Sequence, residues 1–314
     1  MKSGLRPDAC GVEIGAHALP TPDITPFYID RTLDFAGIGG QINVQADAVA
    51  LPIPGDELDY ICSSHVLEHL VDPIAGLLEW HRVLKPGGYL YLVVPDKRFT
   101  FDAPRQLTAP EHIIADFRQN KTTTDEDHVT EFIYETDWSR LQPGVLPGER
   151  PQRQAVLFQA YLESIKAGQA VDIHYHAFTP DSLNRLLELS ALVGGSANYF
   201  EVEATAEKYP TWRGDGIGLL LRKTGAVVVS SPVKTFVFSH PSQPDQSLRL
   251  VCPATLASLA LAKREGQTQL EPEGFPHSFS VNRGIPVLLP PLNVEVQRPW
   301  NALDWRNTML AAGK

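Results

Sequence analysis

Residues 45–96 read QADAVALPIPGDELDYICSSHVLEHLVDPIAGLLEWHRVLKPGGYLYLVVPD. Within this stretch, 57–63 is a short apolar run that ends in small polar residues, as a buried strand does where it opens onto a site. A helix follows, since Asp72 can cap it, Pro73 suits its first turn and the KPGG sequence stops it. A second strand over 89–94 is almost wholly apolar, which fits a parallel sheet covered on both faces. The stretch therefore predicts a strand–helix–strand unit.

Composition and charge bound the class of protein. With 314 residues, 43% of them apolar and 20% charged, the chain can bury a full core and has room for one large domain plus a smaller one. The net charge of −10 argues against broad binding to nucleic acid or to an anionic membrane surface. The sequence shows neither an apolar targeting segment nor a run long enough to span a bilayer, and its cysteines give no disulfide framework. We expect a cytoplasmic protein.

The order of the motifs resembles the class I S-adenosylmethionine-dependent methyltransferases, specifically their small-molecule branch. The residues that carry this resemblance are an Asp-Ala pair before LPIP, then LDYICSSHVLEHL, then RVLKPGGYLYLVVP, and it extends less strictly over 11–223. It implies an α/β fold with a Rossmann-like, seven-stranded, mostly parallel sheet and helices on both faces. It also implies S-adenosylmethionine as the cofactor and transfer of a methyl group to an oxygen or nitrogen of a small-molecule acceptor.

The same resemblance assigns cofactor contacts to the ends of four strands. Asp30, followed by Arg31 in the sequence YIDR, would accept hydrogen bonds from both ribose hydroxyls, and a solvated turn aspartate is the alternative interpretation. Asp47 and Ala48 would meet the adenine. Ser64 and His65, after the fourth strand, would lie beside the cofactor and the acceptor. The residues that would face the methionine end of the cofactor are Glu13, Gly15, Ala16 and His17.

The turn after the first strand, predicted over 10–14, departs from the family pattern. That pattern has three glycines after its acidic residue, whereas here EIG is followed by AHALPTPDITP. Proline in a helix interior costs about 3 kcal/mol or more, so we expect a loop before the strand at 27–29. A Pro-bearing loop between EIG and YIDR is similar to a subset of the family associated with bacterial surface-glycan pathways. This subset implies a sugar or glycan-precursor acceptor.

The HVLEH sequence also matches the HxxEH signature of a group of zinc hydrolases through His65, Glu68 and His69. Such an enzyme needs a third ligand and a long helix around the histidine pair. A buried strand that ends just before His65 argues against that helix. We therefore predict no metal, and in the methyltransferase interpretation His69 packs within a helix.

A long polar excursion over 97–178 predicts a helical lid that forms the acceptor pocket. Thr108 and Thr124 are predicted to cap two of its helices, and a third is predicted over 154–167. The candidate bases for deprotonating a hydroxyl acceptor are His65, His128 and His176. For each of these histidines, a structural hydrogen bond is the alternative role.

A composition shift after Thr224 predicts a methyltransferase domain over 1–224 and a small β-rich accessory domain over 225–314. In the second, LRLVCPATL and FPHSFSVNRGIPVLLPP resemble the small zinc-ribbon family that includes an activator subunit of tRNA and protein methyltransferases. Only Cys252 remains of the four cysteines of that family, which implies a metal-free descendant with a docking or stabilising role. The alternative for GIPVLLP is a plain strand with proline ends.

A second hypothesis applies to the whole chain. Because the N-terminal half of the expected domain is shortened, the protein is alternatively a catalytically inactive binding or scaffold protein with a methyltransferase fold.

Overall fold

The computed structural model describes residues 6, 8–16, 20–35, 38–193, 199–224, 236–264, 267–274, 276–282 and 285–289. The helices are α1 (Pro73–Val83), α2 (Pro110–Arg118), α3 (Glu126–Glu135), α4 (Trp138–Leu141), α5 (Arg150–Lys166) and α6 (Pro180–Val193). The strands of the first part are β1 (Gly11–Ile14), β2 (Phe27–Asp30), β3 (Asp34–Phe35), β4 (Ile38–Gly39), β5 (Val44–Ala46), β6 (Leu58–Ser64), β7 (Leu84–Pro95), β8 (Phe200–Tyr209) and β9 (Gly216–Lys223). They are followed by β10 (Phe236–His240), β11 (Gln243–Leu250), β12 (Leu259–Arg264), β13 (Gln267–Pro272), β14 (Phe279–Asn282) and β15 (Ile285–Leu288).

One large sheet organises the molecule. Its order is β12-β13-β14-β15-β5-β2-β1-β6-β7-β9-β8. From β5 to β7 the neighbouring strands run parallel, and β9 is antiparallel to both β7 and β8. The segment from β5 to β8 is the predicted Rossmann-like sheet, with its antiparallel edge at the end. The fold prediction is confirmed, and strands from the C-terminal part of the chain extend the sheet at β5.

The strand–helix–strand unit forms as its sequence predicts. The Asp72 carboxylate accepts a hydrogen bond from the Ala75 amide at 2.9 Å, and Pro73 occupies the first turn of α1, where its missing N–H costs nothing. The apolar side chains of α1 are fully buried in the main core with β6 and β7; they include Ile74, Leu77 and Leu78. This packing fixes where β6 ends, and therefore where the residues after it lie.

The chain between β1 and β2 makes no helix in its described residues, 15–16 and 20–26. This agrees with the expectation from its prolines. On the sheet face that carries Tyr60 and Cys62, a small apolar cluster forms with Ala9 and Ile24, and no described helix contributes to it. Loop residues therefore cover part of a face that a helix covers in a regular doubly wound sheet.

The excursion over 97–178 contains the three predicted helices as α2, α3 and α5, together with the short α4, which was not predicted, and its caps differ from the prediction. The cap of α3 is Asp125, whose carboxylate accepts from the His128 amide at 3.1 Å, and not Thr124. Ala109, without a side-chain cap, precedes α2, while the Thr108 hydroxyl instead accepts from the Ala177 amide at 3.1 Å. The charged carboxylate of Asp125 is a strong N-cap for α3, because it also interacts favourably with the positive end of the helix dipole. The Thr108 hydroxyl cannot cap α2 in the same way, since it is bound to the Ala177 amide.

The C-terminal strands attach to the sheet at β5. Strand β15 runs parallel to β5, with Leu288 opposite Ala46. The β10–β11 hairpin packs on β2, where the Phe27 ring lies 4.8 Å from the His240 ring and 6.2 Å from the Phe238 ring. Cys252 is fully buried in the same core as the sheet. Within the described residues, this part of the chain therefore shares a core with the rest.

None of the described helices is long and apolar enough to cross a membrane. The longest, α5, has 17 residues and none of them is buried.

Candidate active site

Polar side chains follow the ends of neighbouring strands along one edge of the sheet. Glu13 lies near the end of β1, Asp30 ends β2, Asp47 follows β5 and Ser64 ends β6. Because these strands run parallel, their carboxyl ends meet at the same edge, where open α/β sheets bind ligands. The fold thus brings together residues that the sequence assigns separately to a cofactor site.

Glu13 is buried and already has protein partners. Its carboxylate accepts hydrogen bonds from the Thr21 amide at 2.8 and 3.1 Å and from the Thr21 hydroxyl at 2.8 Å. Burial raises the pKa of Glu13, and the two donors of Thr21 oppose that rise. The Pro-rich loop is therefore anchored on the acidic residue of β1.

Gly15 turns the chain away from β1 in a left-handed conformation, with φ of +73°. A side chain there would also collide with Val66, since a Cβ atom would lie 2.4 Å from its Cγ2. Glycine is therefore required twice, by conformation and by the close approach of the segment that follows β6. Ala16, half-buried, comes next, and His17 lies outside the described residues.

The next strand ends supply a pair of carboxylates. Asp30 is half-exposed, and its Oδ1 accepts from the amide and the hydroxyl of Thr32 at 2.9 and 3.2 Å. Asp47 Oδ1 accepts from the Val49 amide at 3.1 Å, while its Oδ2 lies 3.5 Å from Arg31 Nη1. The carbonyl of the neighbouring residue, Ala48, accepts from Trp80 Nε1 at 3.0 Å. Arg31 thus links the ends of β2 and β5.

His65 begins the segment after β6 in a left-handed conformation, with φ of +56°. A non-glycine residue in this region is uncommon and is held by its surroundings. Here the His65 amide donates to the Val93 carbonyl of β7 at 2.9 Å. The conformation directs His65 Nδ1 to within 3.4 Å of Glu68 Oε1.

Three imidazoles surround one buried carboxylate, and we call this group the Glu68 cluster: Glu68, His65, His69 and His174. Glu68 is 1% exposed. Its Oε1 lies 3.4 Å from His65 Nδ1, 3.8 Å from His69 Nε2 and 4.0 Å from His174 Nε2. Burial alone would raise the pKa of Glu68, but the contact with His65 and the charges of His69 and His174 hold that pKa below its usual range.

Further carboxylates stand behind two of these imidazoles. His69 Nδ1 lies 2.8 Å from Asp172 Oδ1, and His174 Nδ1 lies 2.6 Å from Asp102 Oδ2. Burial alone would lower the pKa of His69, but Asp172 and Glu68 raise it above its ordinary value. His69 and His174 therefore each place Nδ1 beside a second carboxylate, while Nε2 is directed towards Glu68.

The other two predicted bases, His128 and His176, belong to a second group. We call it the His128 cluster, and it consists of His128, His112, His176 and Asp116. His128 and His176 are each 1% exposed. Burial lowers the pKa of His176 to about 3, so its imidazole is neutral at physiological pH. The structure thus separates His65 from His128 and His176 and places each group around its own carboxylate.

Sequence reasoning missed the central role of Glu68 and the contributions of Asp102 and Asp116. The HVLEH sequence contained a signal for Glu68, but its zinc-hydrolase interpretation lacks the necessary helix. His65 precedes a short 3-10 helix, Leu67–His69, instead of lying on a long α-helix. No local pattern marks Asp102, which meets His174 only because the excursion folds back onto the sheet.

Comparison with known proteins agrees with the sheet order. Residues 23–92 match the family model described as a methyltransferase domain. The matched segment contains β2, β5, β6 and most of β7, which belong to the parallel part of the sheet.

Curated relatives match over short segments. An uncharacterized methyltransferase of Schizosaccharomyces pombe is 50% identical over 40 residues, which cover 13% of this chain and 14% of the relative. The ubiquinone/menaquinone biosynthesis C-methyltransferase UbiE of Vibrio vulnificus is 40% identical over 73 residues, which cover 23% and 28%. The chain thus spans less than a third of the length of these relatives.

Among solved structures, a methyltransferase of Thermotoga maritima described as a possible histamine N-methyltransferase has 17% identity and a TM-score of 0.37. The similarity covers 71% of this chain and 86% of that one.

The residues at the sheet edge fit a nucleoside. Asp30 offers a half-exposed carboxylate, the group that accepts hydrogen bonds from paired hydroxyls. Asp47 lies one strand further along the edge, and its side chain is 21% exposed. At the methionine end, Gly15 permits a close backbone approach, whereas the Glu13 carboxylate is occupied by Thr21. These side chains therefore fit the adenosine part of S-adenosylmethionine better than the methionine part.

Proposed function

We propose that the protein transfers a methyl group from S-adenosylmethionine to an oxygen or nitrogen of a small acceptor. The observation that carries this proposal is the Glu68 cluster at the same sheet edge as Asp30 and Asp47, directly after β6. The bound cofactor supplies an electrophilic methyl group. Asp30 and Asp47 bind and orient its nucleoside, and Glu13 and Gly15 shape the opposite end. Positioning of the reacting groups supplies most of the rate enhancement.

Of the three predicted bases, His65 is the one that the geometry favours. Its Nδ1 faces Glu68, which leaves Nε2 to accept a proton from an acceptor hydroxyl. Its side chain is 24% exposed, so a ligand can reach it, whereas His128 and His176 are almost fully buried. Glu68 is a positioning residue in this proposal, because it orients His65 and stabilises the imidazolium that forms.

The acceptor class is proposed from the polarity of the site. His65 and His69, each with about a quarter of the side chain exposed, lie beside Asp172 and Glu68. Such a surface offers many hydrogen-bond partners to a hydroxyl-rich molecule. Together with the resemblance of the EIG and YIDR segments to glycan-pathway relatives, this supports a sugar or glycan precursor as the acceptor.

Calorimetric titration tests the cofactor assignment directly. We expect S-adenosylmethionine and its demethylated product both to bind, and we expect labelled methyl groups to appear on a member of a panel of nucleotide-sugars. If neither cofactor form binds, the methyltransferase proposal fails. Methylation of quinols in a second panel, with no methylation of the sugars, would retain the reaction and overturn the acceptor class.

A scaffold or binding protein without turnover is the second candidate. The occupation of Glu13 by Thr21 favours it, because that carboxylate lies where the methionine end of the cofactor is expected. Cofactor binding without methyl transfer to any acceptor, unchanged in Thr21→Ala, would support this candidate. Turnover that increases in Thr21→Ala would support an enzyme limited by the loop.

For the C-terminal part we propose a stabilising role, with 225–314 as an accessory domain derived from the zinc-ribbon-like family. Its support is the pairing of β15 with β5 and the contact of the β10–β11 hairpin with Phe27. Removal of residues 225–314 would expose this edge of the sheet. We expect the truncated chain to lose solubility or to unfold at a lower temperature, as followed by circular dichroism, and an unchanged melting temperature would contradict this role.

A further inference from the structure

The His128 cluster is a second concentration of metal-ligating groups, away from the strand ends. His112 and Asp116 lie one turn apart on α2, His128 is on α3, and His176 is on the segment that returns to the sheet. His112 Nε2 lies 2.9 Å from His128 Nε2 and 3.0 Å from Asp116 Oδ2, and His128 Nε2 lies 3.7 Å from the same oxygen. The ligand atoms of the three histidines lie within 4.8 Å of one another.

Hydrogen bonds on the outer side of the rings fix which nitrogens face inward. His176 Nε2 lies 3.1 Å from the Val71 carbonyl, which can only accept, so the proton is on Nε2 and the lone pair is on Nδ1. His128 Nδ1 lies 2.7 Å from Asp125 Oδ1, so the lone pair of His128 is on Nε2. Metal-ligating histidines typically donate their other N–H to a carboxylate or a carbonyl, as both rings do here.

Nδ1 of His176, in a ring that is 1% exposed, has no hydrogen-bond partner among the described residues. Asp116 Oδ2 lies beside the ring nitrogens of His112 and His128, at 3.0 and 3.7 Å. A buried polar atom without a partner is costly, and a cation bound among these rings would satisfy His176 Nδ1. Lys121 does not take this place, because its Nζ binds the other oxygen of Asp116, Oδ1, at 2.8 Å.

The spacing suits a small tetrahedral ion. Ligand atoms at about 2.0–2.1 Å from a tetrahedral metal lie about 3.3 Å from one another. The separations of 2.9, 3.0 and 3.7 Å among His112, His128 and Asp116 bracket that value, and the ligand atom of His176 lies within 4.8 Å of those of the other two histidines. Imidazoles with one carboxylate form a ligand set of the type that zinc accepts, while magnesium and calcium prefer oxygen ligands.

We propose that His112, Asp116, His128 and His176 bind one zinc ion in a structural site. Four protein ligands fill a tetrahedral coordination shell, which is the arrangement of structural rather than catalytic zinc. The ion would hold α2, α3 and the segment around His176 together. That segment is also tied to the strand end, because the Tyr175 amide donates to the Glu68 carbonyl at 2.8 Å. The proposal reverses the expectation of no metal and does not rest on methyltransferase activity.

Metal content measured by mass spectrometry tests the site. The full chain, passed over a weak chelating resin, is expected to retain about one zinc per chain. His112→Gln is the most informative variant, since His112 is the most exposed ligand, with 40% of its side chain accessible, and its replacement disturbs packing least. We expect His112→Gln and His176→Gln to lose the zinc. His69→Gln, in the Glu68 cluster, is the matched control and should retain it.

Cobalt provides a second measurement that does not depend on the metal acquired during expression. Chelator-treated protein reloaded with cobalt should show the intense visible absorption of a tetrahedral ion, which Asp116→Asn weakens at least tenfold, with circular dichroism confirming that the variant is folded. Wild-type protein that takes up neither metal would overturn the proposal and leave a hydrogen-bonded cluster. Metal lost in His69→Gln but retained in His112→Gln would also overturn it, because the ion would then belong to the Glu68 cluster.

Discussion

The Glu68 cluster and the His128 cluster contain the same kinds of side chain but differ in access and in tightness. In the Glu68 cluster, His65 and His69 are each about a quarter exposed, and the imidazole nitrogens stand 3.4–4.0 Å from the central carboxylate. In the His128 cluster, two rings are almost fully buried, and its closest ligand atoms are 2.9–3.0 Å apart. A group of histidines around a carboxylate therefore does not by itself indicate a function. The exposure of the rings and the spacing of their nitrogens distinguish a site for proton transfer from a site for metal binding.

Arg105 links Asp102, the carboxylate behind His174, to α3, which also carries His128, and its replacement should have the largest effect. Its fully buried guanidinium lies 2.8 Å from Asp102 Oδ1 and 3.0 Å from Glu131 Oε1, and it donates to the Tyr175 carbonyl. Removing one partner of a buried ion pair leaves an uncompensated charge. We expect Arg105→Met to lower the free energy of unfolding by about 3–5 kcal/mol in urea titrations.

Arg185→Met is the matched control, since Arg185 makes an exposed pair with Glu188. That pair is worth about 0–1 kcal/mol. Similar losses in both variants would show that Arg105 does not connect the clusters.

His65→Gln tests whether methyl transfer depends on the Glu68 cluster and not on the His128 cluster. If His65 is the base, turnover of a hydroxyl acceptor should fall by about 100- to 1000-fold while the affinity for S-adenosylmethionine is unchanged. His128→Gln should instead lower turnover only as far as it lowers the folded or metal-bound fraction. Turnover of both variants at saturating S-adenosylmethionine measures the difference, and equal losses of turnover in both variants would contradict the assignment.

Asp30→Ala should affect cofactor binding and neither cluster. Loss of a charged acceptor of two hydroxyl hydrogen bonds should weaken S-adenosylmethionine binding about 10- to 100-fold. Calorimetry measures the change, and Asp30→Asn should fall between Ala and the wild type. Unchanged affinity in Asp30→Ala would remove the ribose assignment, while zinc content should stay at the wild-type level.

Asp72 reports on the surroundings of the His128 cluster through the pH dependence of stability. Burial, with the charge of nearby Asp116, raises the pKa of Asp72 from 3.8 to about 7. Since the folded state then holds the proton more tightly than the unfolded state, stability falls as pH rises between these values. Asn also caps helices, so Asp72→Asn should match the wild type near pH 4 and be more stable than the wild type near pH 8. Thermal unfolding across this range measures the difference, and a constant difference would contradict a raised pKa.

Local patterns were sufficient for the elements of the sheet and insufficient for the clusters. Asp72, Pro73 and the apolar spacing of α1 predict a helix because caps and periodicity act within a few residues. The cap of α3 shows the limit, since Thr124 and Asp125 are both good caps and only the folded chain selects Asp125. The placement of β15 beside β5 likewise depends on a pairing between distant parts of the chain.

The amino-acid sequence by itself determined the strand–helix–strand unit and the acidic residues at the strand ends. It also determined the absence of a helix in the described part of 15–26. These features follow from short-range sterics and from the pattern of apolar residues along the chain. Only the tertiary structure decided which histidines meet. His174 and His176 are close in sequence, yet one lies at Asp102 and the other at His112 and His128. Burial, access and the second nitrogen of each ring are properties of packed neighbours, and they divide similar residues between a proposed base and a proposed metal site.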